Sequence, residues 1–139
     1  MRNSVRLAIA LVLVHLAISA VHGVAHQQLA IGLSREEDLF VWIVIIAAPL
    51  VAATLLLTKW RRGGGWLLAI SMAGAFVFGV DKHFIAGGID NAFGVATGMW
   101  GMTFQVTAFL LAVMEAVGCW VGITATQEKS APGDGALSS

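Results

Sequence analysis

His15, His22 and His26 are separated by seven and four residues. At about 100° per residue on a helix, their directions fall within roughly 40° of one another. His22 and His26 form a His-x-x-x-His pair, a spacing that lets both imidazoles reach one ion or puts either at the edge of a haem. The fourth imidazole, His83, follows Asp81 and Lys82 in a later apolar stretch. Imidazole with carboxylate suits zinc, iron or manganese, so His22, His26, His83 and Asp81 form the candidate metal set. If the cofactor is haem, one histidine from each helix is axial: His83, with His22 and His26 competing for the other position. The sequence has no Cys-x-x-Cys-His, so such a haem b would be held noncovalently. Met99 and Met102 nearby would shift the preference towards copper(I). Equally, they are ordinary apolar loop residues.

Glu115 lies near the centre of another apolar stretch, where an unpaired carboxylate costs several kcal/mol. His15 is within about one helical turn of the same depth. A His15–Glu115 hydrogen bond is therefore expected, either as a structural clasp or as a proton-carrying pair.

The elements that carry these residues are apolar enough to cross a bilayer. Apolar residues make up 58% of the 139-residue chain and charged ones only 12%, with a mean hydropathy of +0.86. A soluble domain cannot hide that much apolar surface. A span needs roughly 20 mostly apolar residues. Four segments qualify, at about 7–24, 39–58, 66–85 and 102–125, and Leu39 to Leu57 carries no charge at all. Pro49 should kink the second. Only 15 uncharged residues separate Gly65 from Asp81, about 22 Å of helix against a core of about 30 Å. The third span must therefore run on through Asp81, Lys82 and His83, which brings them to the level where His22 and His26 leave the bilayer.

The expected fold is an all-α integral membrane protein, a compact four-helix transmembrane bundle. Arg2, Arg6, Lys59, Arg61, Arg62 and Lys129 flank one end of the spans, and only Arg35 and Lys82 the other. Both termini are then cytoplasmic by the positive-inside rule, in the inner membrane if the cell is bacterial. The stretch Arg61-Arg62-Gly63-Gly64-Gly65 reads as a turn between Trp60 and Trp66 at the inner interface, with Trp100 at the outer one. The stripes Ser71/Ala75/Gly79 and Gly118/Gly122 are candidate helix seams. The first segment also has the make-up of a signal peptide, and 127–139 reads as a disordered tail.

Acids and bases balance, eight of each, which gives no argument for a nucleic-acid partner. The one cysteine, Cys119, excludes multi-cysteine metal sites. No phosphate loop, nucleophile elbow, His-Glu-x-x-His or nucleotide fingerprint occurs, so no motif names a reaction. Histidines on facing helices of a bundle resemble the layout of membrane b-type cytochromes, a likeness of architecture alone. Three readings stay open: a metal or haem module serving electron transfer or as an accessory subunit, a small transport or proton-conducting component using His15 and Glu115, and a structural partner in a larger membrane complex or self-association.

Overall fold

The computed structural model describes residues 3–127. Within them the chain is all helical, and four helices are long and apolar enough to cross a membrane. Arg2, Lys129 and the expected tail beyond Gln127 lie outside the described residues. The first helix, α1, is Asn3–Gln28. The second span, Arg35–Leu56, is composite: α2 (Arg35–Phe40), a π-helical segment Val41–Ala47, and α3 (Ala48–Leu56). The third is α4 (Arg61–Val80) continued by a second π-segment, Asp81–Ile85. The fourth is α5, Met99–Gln127.

Pro49 explains the first π-segment. Its ring clashes with the carbonyl four residues back, and the widened turn before it carries the ladder past that point, with Ala48 N–H donating to the carbonyl of Ile43. The helix ahead of it starts on a capping box: the Ser34 hydroxyl accepts from Glu37 N–H, and the Glu37 carboxylate accepts from Ser34 N–H. The same Glu37 pairs with Lys82 on the third span.

Helix α5 packs on both α4 and α1, and α4 also packs on α3. At the end of the bundle that carries Arg61 and Arg62, the seams are built from glycine. A Cβ on Gly122 would come within 2.6 Å of Ala69 N and 2.8 Å of the Gly65 carbonyl, and one on Gly64 within 2.9 Å of the Ala52 carbonyl. This corrects the expected Arg61–Gly65 turn. Those residues are the first turn of α4, because Gly64 and Gly65 are pressed against backbone on both sides, and tertiary contact overrides their poor helix propensity. The reversal falls earlier, around Thr58–Trp60, where the Thr58 hydroxyl accepts from Trp60 N–H. A core of Leu11, Val12, Leu56, Leu68, Met72 and Val121 fills this half. The outside of the bundle is apolar too: Ile70, Val77, Phe109 and Trp120 are each more than 60% exposed, a surface suited to lipid rather than water.

Candidate metal centre

At the opposite end of the bundle, three helices and one loop bring histidines to a point. His22 and His26 project from the last two turns of α1. His83 comes from the π-segment that ends the third span, and Phe104 of α5 backs all three rings at centroid distances of 4.8, 5.0 and 5.2 Å. One ligand-capable nitrogen from each histidine lies within 4.8 Å of the others. His22 and His83 are buried and His26 is half-buried.

Each ring is held by its Nδ1. For His22 the partner is the Thr107 hydroxyl at 2.8 Å. That hydroxyl already directs its own hydrogen to the carbonyls of Thr103 or Phe104, at 2.7 and 3.1 Å, so it accepts from His22. His83 Nδ1 donates to the Asp90 carbonyl at 3.1 Å, and His26 Nδ1 to the Ile31 carbonyl at 3.4 Å. All three partners are acceptors, which puts the proton on Nδ1 and leaves three Nε2 lone pairs. His22 Nε2 and His83 Nε2 face each other at 3.2 Å. Two neutral rings in these tautomers cannot hydrogen-bond there. Two nitrogens sharing one tetrahedral zinc at 2.0–2.1 Å would stand roughly 3.3 Å apart.

Asp90 adds a fourth electron-rich atom. Its Oδ1 is buried without a hydrogen-bond partner, 3.2 Å from His83 Nδ1 and 3.5 Å from His26 Nε2. Local structure places these acceptors. Ala30, at φ 54°, turns the end of α1 so that Ile31 N–H returns to the His26 carbonyl and Ala30 N–H to Gln27, a Schellman closure. That closure sets the Ile31 carbonyl beside His26. The loop after His83 is tied down by Ala92 N–H to the His83 carbonyl at 2.8 Å and by the Asn91 side chain to the Ala86 carbonyl at 2.9 Å. Asp90 is thereby held over the rings.

His22, His26 and His83 thus come together as candidate ligands, and Asp81 does not join them. Asp81 is exposed: residues two apart on a helix point to nearly opposite sides, so a span that buries His83 turns Asp81 outward. Met99 and Met102 are 71% and 67% exposed. Sequence reasoning missed Asp90, Thr107 and the Ile31 carbonyl as partners of the imidazoles. Only Asp90 left a signal, as a carboxylate seven residues beyond His83 across two glycines.

Deeper in the bundle, His15 Nε2 and Glu115 Oε1 are 3.3 Å apart, both almost fully buried. The carboxylate fits because Gly79 faces it, with the position of an added Cβ 3.6 Å from Glu115 Oε2. His15 Nδ1 has no partner.

Comparison with protein-family models, with curated proteins and with solved structures finds no match to this chain.

Proposed function

We propose that this is a membrane-embedded metal-binding protein that holds one transition-metal ion through Nε2 of His22, His26 and His83. The observation that carries the reading is the tautomer pattern: three Nδ1 atoms are committed to oxygen acceptors, His22 Nε2 and His83 Nε2 face each other at 3.2 Å with no proton left to share, and one nitrogen from each of the three histidines lies within 4.8 Å of the others. A cation satisfies all of them at once. Zinc, cobalt(II) or iron(II) suits neutral imidazole with a carboxylate nearby. Asp90 would orient His83 and balance charge.

A single ion is favoured over haem, because two axial imidazoles must stand on opposite faces of a macrocycle. His22 and His83 have ring centroids only 4.9 Å apart, and Phe104 backs both. A proton-conducting role is less well supported, since beyond Glu115 the route would have to cross the dry core around Leu11, Met72 and Leu68.

Orientation is part of the proposal. Among the described residues Arg6, Lys59, Arg61 and Arg62 mark one end and Arg35 and Lys82 the other, which puts the histidine end outside the cytoplasm. In a Cys119→Ser background, an impermeant thiol reagent applied to intact cells should label Ser34→Cys and leave Thr58→Cys untouched.

Metal analysis of detergent-purified protein after equilibration with Zn²⁺ or Co²⁺ tests the site. One ion per chain is expected, without a Soret band. His83→Ala should reduce occupancy at least as strongly as His22→Ala or His26→Ala, and His15→Ala should leave it unchanged. Unchanged occupancy in a folded His22→Ala/His26→Ala/His83→Ala variant would refute the site.

A further inference from the structure

The histidine half of the bundle is hollow. A cavity of about 890 Å³ lies among all four spans, lined from Leu16 to Gln27 on α1, from Arg35 to Ile46 on the second span, from Ala75 to His83 on the third and from Ala108 to Glu115 on α5. Its volume lies within the range of small-molecule sites. The walls are not uniform. His22, His26, His83, Asp90 and Arg35 cluster at the mouth, and towards mid-bundle the lining becomes Leu16, Ile45, Ile46 and Leu111, ending at Glu115, which is already engaged by His15. His22 and Leu16 are six residues apart on one helix, so the apolar part is about 9 Å deep. Ala20, Gly23 and Trp42 line the cavity while remaining exposed, and a Cβ at Gly23 would meet nothing within 4 Å. The cavity therefore opens sideways between α1 and the second span.

We infer that this cavity is the binding site for a single-chain carboxylate amphiphile of the fatty-acid type, whose head ligates the ion and whose chain lies inward along Leu16, Ile45 and Leu111. The inference rests on the metal reading above. Three protein nitrogens leave a tetrahedral ion one open position, and the three histidines line the cavity. Without an ion the mouth carries Asp38 and Asp90 against Arg35 and repels an acid head. With a divalent ion the balance reverses, so binding of the amphiphile depends on the metal. The polar end of the cavity is also at the end of the spans, which is the orientation a lipid-borne acid already has when it enters from the side.

The test uses full-length protein in detergent loaded with Co²⁺ alone, whose visible bands report changes in coordination. Decanoate should shift those bands, decyltrimethylammonium should not, and decanoate should half-saturate about tenfold or more below acetate because its chain is buried with the head. Filling the cavity by Ile45→Trp or, independently, Ala112→Phe should raise the decanoate midpoint about tenfold with cobalt still bound, and should leave the acetate midpoint unchanged. Cobalt bound at one per chain with no response to decanoate would overturn the inference and leave the metal site standing. A decanoate response unaffected in both filled variants, each still binding cobalt, would also overturn it. Failure to bind cobalt would remove both.

Discussion

The two halves of the bundle solve the same problem in opposite ways. In the half that carries Arg61 and Arg62, glycines bring helix backbones into contact and the core is dry and apolar. In the half that carries the histidines, the spans stand apart around a cavity, and the polar His22, His83 and Thr107 are buried there. Both π-segments fall in this second half, Val41–Ala47 along the cavity wall and Asp81–Ile85 carrying His83. Irregular helix of this kind often marks functional positions. Close packing at one end thus stands beside open packing at the other. Without a hydrophobic drive between helices in lipid, close backbone approach at Gly65 and Gly122 supplies contact that the histidine half lacks.

The largest effect that would sharpen this contrast is ion binding. At a free Zn²⁺ concentration a hundredfold above its dissociation constant, the wild-type protein should gain about 2.7 kcal/mol of stability, lost on adding a chelator and absent from the triple histidine variant. The ligands bind as neutral imidazoles, whose ordinary pKa is about 6.5. Acid should therefore weaken binding, as protons compete with the ion for the ligand nitrogens. Thr107→Val removes only the acceptor of His22 Nδ1, and should weaken binding about 10- to 100-fold. Equal zinc stabilisation of wild type and Thr107→Val would show that the hydroxyl does not set the tautomer.

A pair of glycine substitutions tests the packing side. Gly122→Ala forces a Cβ against backbone atoms of Ala69 and Gly65 and should destabilise the protein by about 2 kcal/mol. Gly23→Ala, at the open side of the cavity, should change stability by less than about 0.5 kcal/mol. Thermal unfolding in one detergent compares them. Similar losses at both positions would erase the distinction between a packed and a hollow half.

Between the halves lies the His15–Glu115 pair, whose expected contribution is smaller. Glu115→Gln retains a group that can hydrogen-bond to His15, whereas Glu115→Leu leaves the fully buried imidazole without one. The leucine variant should be the less stable by about 1 kcal/mol. Indistinguishable stabilities would mean that the contact is not a clasp.

Much of this contrast was legible in the sequence because it rests on local rules. The uncharged run from Leu39 to Leu57 announces a span, and the short run before Asp81 forces His83 to the depth of His22. Periodicity alone puts His22 and His26 on one face. The same periodicity should have removed Asp81, which is two residues from His83 and so points away. Asp90 was not legible as a partner because its approach depends on loop geometry, with Gly88 at φ 153° and Asn91 hooked to Ala86. Thr107 was hidden for another reason: one hydroxyl residue in a helix usually bonds back to its own turn, and only tertiary packing brings His22 against it. The Arg61–Gly65 stretch misled because three glycines in a row signal a turn until a neighbouring backbone requires them.

The smallest predicted effect concerns Ala30, at the end of α1. A left-handed conformation disfavours any residue with a Cβ by roughly 1–2 kcal/mol relative to its ordinary states, and glycine is the usual occupant of this position in a Schellman closure. Ala30→Gly should relieve that strain, but glycine also loses more backbone freedom on folding. The net gain should be about 0.5 kcal/mol, measurable as a small rise in thermal midpoint. The closure itself is retained, with the Ile31 carbonyl still facing His26 Nδ1, so zinc affinity should not change. A weaker zinc site in a stabilised Ala30→Gly protein would reveal that the rigidity of this alanine, and not only the hydrogen bonds of the turn, holds His26 in place. Loss of stability would instead show that contacts of the Ala30 methyl outweigh its backbone strain.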